Sequence, residues 1–199
     1  LGAVAMSLGL AAALGAVAAL LIAAALQLVL VVIAVPRLDA TRAARPPRAE
    51  RTAPSVRLPR GPIVALGLVV LAAFTVDAGV STWSSVQLAA LGVVAALAPL
   101  GYAVYQAGVL VARLGTDPLT RRFGRAGVAV AGIAAGVLGG LVVAFGPGAA
   151  AAVIGFALSG LAVGVLVPVA FGAAGEIVPG RSDEVVARVN LFNYAGALA

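Results

Sequence analysis

Asp77, in the run LAAFTVDAGVSTWSS, is the one acidic residue that lies inside a long apolar stretch of this 199-residue chain. An ionisable side chain at membrane depth costs about 2.5–3.5 kcal/mol on insertion scales, so it normally faces a bundle interior or a water-filled cavity. A carboxylate there can exchange a proton or hold a polar solute. Tyr102, Gln106 and Arg113 follow at i, i+4 and i+11, close to one helical face, with Tyr105 on the adjoining flank. Asn190 is followed by Asn193 and Tyr194 at i+3 and i+4, a second polar face for substrate or for helix–helix hydrogen bonds. The short stretch RLGTDPLTRRFGR gathers Arg113, Asp117, Arg121, Arg122 and Gly124. An acid followed at i+4 and i+5 by arginines can pair within the stretch or meet the positive end of a neighbouring helix. Contacts of that kind, made in one conformation and broken in another, form a gate.

The absence of Cys and His excludes disulfides, thiolate nucleophiles, the usual zinc sites and imidazole acid–base chemistry. The Ser and Asp residues show no recognisable catalytic arrangement, and no phosphate-binding P-loop is present. Neither an enzyme nor a self-powered pump is indicated, and no metal or cofactor is expected.

These residues need elements to carry them, and the composition says which. With 63% hydrophobic and 10% charged residues and a mean hydropathy of +1.16, the chain lies far from a soluble domain, which is about 45–50% apolar and about 25% charged. All thirteen basic residues are Arg. They fall in three clusters between apolar runs, which is a membrane-topology pattern and not a nucleic-acid surface. Residues 1–35 carry no charge, and as one helix they would run to about 50 Å against a hydrocarbon core of about 30 Å. A split near Gly15 is therefore expected, giving helices over 1–14 and 17–35. Residues 36–61 hold seven of the arginines among five prolines and read as a mobile linker, solvated or lying against anionic headgroups.

Further spans are expected at about 62–82, 94–113, 126–145 and 149–171, with a last helix from near Ala187. The connections at 36–61, 113–125 and 173–188 hold every Arg, whereas those near 83–93 and at Gly146–Gly148 hold no charge. By the positive-inside rule the arginine-bearing connections face the cytoplasm. The expected fold class is all-α, a polytopic transmembrane helical bundle of about six to seven helices. The chain starts without Met and stops within an apolar stretch, so both ends read as cuts in a longer protein. Gly132, Gly136 and Gly140, and again Gly160 and Gly164, repeat at i+4 and suit close helix packing. Pro168 should bend its helix, and Trp83, among Ser81, Thr82, Ser84 and Ser85, suits an interfacial anchor.

The 113–125 stretch resembles the G-x-x-x-D-x-x-x-R-x-G loop signature of the major facilitator superfamily, in the copy that joins the eighth and ninth helices. The wider run from DAGVSTWSSVQL through GYAVYQAGVLVARLGTDPLTRRFG to VPVAFGAAGEIVPG is similar to a bacterial MosC-like, or rhizopine-transporter-like, subgroup. The resemblance implies a partial major-facilitator fold: 1–35 as the end of the N-terminal bundle with a fifth-helix remnant and the sixth helix, 36–61 as the cytoplasmic linker, and 62–199 as the C-terminal bundle from the seventh helix to the start of the eleventh. It carries an acidic position onto Asp77, a Trp-Ser pair onto Trp83 and Ser84, and loop positions onto Arg113, Asp117, Arg122 and Gly124. The chain departs from the subgroup at Thr116, where Gly is usual, at Thr82, where an acid often stands, and at Arg121, where an acid is common.

The function so implied is secondary active transport of a small polar or amphipathic solute by alternating access, with proton coupling, in the cytoplasmic (inner) membrane of a bacterium. The partners expected are that solute and the lipid bilayer, with no nucleic acid, and the full-length protein is expected to be a monomer. A non-transporting scaffold or the permease subunit of a larger complex is the competing reading. It accounts for the hydropathy but not for the Asp-Arg stretch.

Overall fold

The computed structural model describes Ala25, Leu28, Val29 and residues 58–198. The chain divides between Arg57 and Leu58 into two units. In the first unit Ala25, Leu28 and Val29 are helical and exposed. The helices expected at 1–14 and 17–35 otherwise lie outside the described residues, as does 36–57 of the expected linker.

The second unit is built from α1 (Arg60–Ala90), α2 (Leu100–Phe145), α3 (Gly148–Glu176) and α4 (Ser182–Ala197), with no strand among the described residues. Runs of Ala, Val, Leu and Gly adopt helices because a bilayer offers the backbone no water, and only a helix satisfies its own N–H and C=O groups within one segment. Three helices, α1, α2 and α3, are long and apolar enough to cross a membrane. This is a multi-pass membrane protein.

Helix α2 is two arms joined at a break. Gly124 has φ 75° and ψ 159°, a backbone region that essentially only glycine occupies. The arms, 100–123 and 125–145, are about 36 and about 32 Å long, each sufficient for a core of about 30 Å. Their directions follow from what they touch. On the first arm Tyr105 meets Gly160 of α3 and Val109 meets Gly164, so the two helices run in parallel. On the second arm Gly139 meets Ser159, Gly136 meets Ala162 and Gly132 meets Val165, so residue numbers rise on one helix as they fall on the other. The arms are therefore antiparallel, and α2 makes two passes. Gly101 packs on Ser84 and Leu88 at the far end of α1, and Gly196 of α4 meets Leu71 of α1 while Gly67 meets Phe192. Successive passes thus alternate in direction, and the arginines of the second unit all belong to the end where α1 and α4 start, α2 breaks and α3 stops.

Several boundaries differ from the sequence expectation. Residues 113–123 are helical and not a loop: arginines report where water is, and a helix end in water satisfies that as well as a coil does. Pro118 is carried inside the helix, where it removes one backbone donor. Helix α1 continues to Ala90, and the uncharged connection after it is a series of turns over 91–99. Helix α4 begins at Ser182, ahead of Ala187, with Asp183 and Glu184 in its first turn, where carboxylates favour the positive helix end.

Tight crossings hold the bundle. A Cβ at Gly160 would fall on the Tyr105 carbonyl, one at Gly108 would lie 2.5 Å from the Ala157 carbonyl oxygen, and one at Gly164 would lie 2.6 Å from that of Val109. Small residues at such positions let backbones approach where lipid gives no hydrophobic drive for association. Of the expected repeat, Gly132 and Gly136 pack against α3, but Gly140 faces open space and Gly139 takes its place. At 3.6 residues per turn a strict four-residue repeat drifts off the contact stripe, whereas i, i+4, i+7 stays on it. Around these crossings one apolar cluster joins Ala73, Val80 and Leu88 to Tyr105, Val109 and Phe156, and another joins Ile63 and Val70 of α1 to Val185 and Val189 of α4.

Side chains also finish the helix ends. The Gln87 amide donates to the Val143 carbonyl at 3.3 Å, one of the last-turn carbonyls that α2 leaves without an internal partner as the chain turns out at Gly146-Pro147. At the opposite end the Ser182 hydroxyl donates to the Gly175 carbonyl at 2.6 Å.

Candidate functional site

The crossing of α2 over α3 decides where Tyr105 points. Gly160 and Gly164 draw the first arm of α2 close to α3, and the arm is thereby rotated so that Tyr105 is fully buried at 0% exposure. From that position its hydroxyl donates to Asp77 Oδ1 on α1 at 2.7 Å. Asp77 itself is half-buried. The bond gives the buried Tyr105 hydroxyl an acceptor, which a polar group out of reach of water needs. The Tyr105 ring stacks on Tyr102 with centroids 6.2 Å apart, and the Gln106 amide donates to the Tyr102 hydroxyl. The expected residues Asp77, Tyr102 and Gln106 are therefore brought together, and the residue that connects them is Tyr105.

Sequence spacing placed Tyr105 only on the flank of its helix. The signal that locates it is the row of small residues Gly101, Gly108 and Ala112, which marks the buried stripe on which Tyr105 and Val109 also lie. Chemically, the arrangement is a carboxylate held by one phenol at a helix–helix seam.

The other expected residues lie elsewhere. Asn193 donates to Asn190 at 3.4 Å within α4, and neither bonds to the Asp77 cluster. The Trp-Ser pair divides: Trp83 is 64% exposed, whereas Ser84 is fully buried. The Ser84 hydroxyl has no partner among the described residues; with Gln87 and Ser159 it lines a cavity of about 300 Å³ between α1, the second arm of α2 and α3.

At the charged end Arg113, Asp117, Arg121, Arg122 and Gly124 are all exposed. Asp117 forms no ion pair among the described residues. The contact that ties this region to another helix is a two-pronged one between Arg125 and Glu176, with Nη1–Oε2 at 2.6 Å and Nη2–Oε1 at 2.9 Å. It links the start of the second α2 arm to the end of α3. Glu184 binds both Arg181 and Arg188 beside it. These pairs are largely in solvent, where screening and side-chain entropy leave them little net worth. Arg125 and Glu176 lie just outside the expected gating set and share no helix face or local spacing, so sequence reasoning had no means of pairing them.

Among the described residues no group of His, Cys, Asp and Glu could hold a metal ion. No family model matches the chain, and no solved structure matches it. Two curated relatives do. An uncharacterized MFS-type transporter of Yersinia pestis is 31% identical over 142 residues, which is 71% of this chain and 37% of the relative. An uncharacterized transporter of Sinorhizobium fredii (strain NBRC 101917 / NGR234) is 32% identical over 139 residues, 69% of this chain and 37% of the relative. Over most of its length the chain is thus similar to transporters, and it spans little more than a third of the length of the curated relatives it matches.

Proposed function

We propose that the chain is the second half of a major-facilitator secondary transporter of the bacterial inner membrane, of the MosC-like kind, moving a small polar or amphipathic solute by alternating access and monomeric when full length. Two bundles related by a pseudo-two-fold axis along the membrane normal would rock about a midplane site. Asp77 is the proton-coupling group and Tyr105 its partner. The observation that carries this reading is the Tyr105–Asp77 hydrogen bond at 2.7 Å between two membrane-crossing helices, in a chain about a third identical to transporters. A bound proton shifts the balance of inward-facing and outward-facing states only through its differential affinity for the two. A carboxylate whose partner sits on a second helix is built to have such a difference.

The arginine-bearing end faces the cytoplasm, and Asp117 works there as a latch that closes in another state of the cycle. The test is a screen of small polar and amphipathic solutes with the full-length protein in vesicles under an imposed pH gradient. Gradient-dependent accumulation of at least one solute is expected, and Asp117→Asn should slow it without lowering the amount of inserted protein. A complete screen with no gradient-dependent movement would favour a scaffold role.

A further inference from the structure

The break at Gly124 opens a groove between the two arms of α2 and the side of α3. It has a volume of about 530 Å³ and is lined by Leu119 and Phe123 on the first arm, by Gly127, Val128 and Ala131 on the second, and by Val165 on α3, among other apolar residues. The Arg122 guanidinium lies over the ring of Phe123, 5.2 Å from its centroid, so the aromatic wall of the groove carries a cation at its rim. Among the described residues no carboxylate pairs with Arg122, while its neighbour Arg125 is already held by Glu176.

We infer that this groove is a binding site for an anionic phospholipid, with the phosphate at Arg122 and one acyl chain in the groove. The length of the groove suits an acyl chain. The lining ends at Ala135, about 16 Å along the helix from Gly124, which is half of a core of about 30 Å. That is the depth of one leaflet, which an acyl chain held by a headgroup at Arg122 would fill. Charge agrees: arginines at a membrane surface attract anionic headgroups, and a guanidinium matches a phosphate in geometry as well as in sign. The lipid would brace the break between the two arms, the one point in α2 where the backbone is not helical.

The test uses the full-length protein, incubated in detergent with an equal mixture of phosphatidylglycerol and phosphatidylcholine. Retained lipid is counted by native mass spectrometry. The parent protein should retain phosphatidylglycerol in preference to phosphatidylcholine. Arg122→Gln should cut that preference roughly fivefold, the factor expected for one basic group at a membrane surface. Ala131→Phe, which fills the groove from an exposed position, should reduce retention of both lipids. Equal retention of the two lipids by the parent, undiminished phosphatidylglycerol in either variant, or a full-length structure with another helix in the groove would overturn the assignment.

Discussion

The Asp77 seam and the arginine-bearing end of the same bundle use polar side chains in opposite ways. At the seam one carboxylate meets one phenol in surroundings that are mostly apolar, and the phenol has no water to turn to if the bond breaks. At the other end Arg125–Glu176, Arg181–Glu184 and Arg188–Glu184, ion pairs among the described residues, all stand substantially in solvent. Losing a partner in the first setting leaves a buried polar group unsatisfied, at about 1–3 kcal/mol. In the second setting water replaces the partner. The charges at the exposed end join neighbouring helix ends in water, whereas the Tyr105–Asp77 bond joins a carboxylate on α1 to a buried phenol on α2.

The sharpest way to break this contrast is to move the helices that create it. Gly160→Ala would drive a methyl into the Tyr105 backbone carbonyl, and overpacking of this kind costs about 1–3 kcal/mol or more. A large fall in the yield and melting temperature of the full-length protein is expected, with Gly140→Ala, which meets open space, as the neutral companion. A Gly160→Ala protein as stable as Gly140→Ala would mean that α2 and α3 do not cross at this point.

The tie between Gln87 and Val143 should give a smaller effect. Gln87→Leu leaves the Val143 carbonyl without its donor, which should cost about 1 kcal/mol. Gln87→Glu should be worse at neutral pH because it sets a second acceptor against the carbonyl. The two variants ranked by melting temperature test this, and equal values for both and the parent would remove Gln87 from the account.

The exposed pair should give the least. Arg125→Gln and Glu176→Gln are expected to leave the melting temperature within error of the parent at physiological salt, where exposed charges are screened. A marked destabilisation by either would place the charged end on a par with the seam.

How far the sequence led is clear from particular residues. The alternation of arginine-bearing and uncharged connections agrees with the alternating directions of the passes, because arginines gather on one side of a bilayer. Asp77 stood out because an acid at membrane depth is costly. The rotation of each helix was harder to read. Taking the stripe from Tyr102, Gln106 and Arg113 left Tyr105 at its edge, whereas Gly101, Gly108 and Ala112 set the contact face and turned Tyr105 inward. Residues 113–123 read as a loop because charge was allowed to stand for backbone shape. The Arg125–Glu176 contact spans 51 positions, and only the turn of the chain at Gly124 and the return of α3 bring the two together.

The central claim, that Asp77 couples proton movement to the cycle through Tyr105, is tested most directly by comparing two modes of transport in vesicles holding the full-length protein and a solute found to be carried. Asp77→Asn should abolish accumulation driven by an imposed pH gradient while leaving solute exchange at equal pH largely intact. Tyr105→Phe, which keeps the carboxylate and the ring but removes the donor, should lower accumulation several-fold with exchange preserved. If Asp77→Asn accumulates the solute as well as the parent does, the Asp77–Tyr105 contact is only a structural bond between α1 and α2, and the coupling group lies elsewhere.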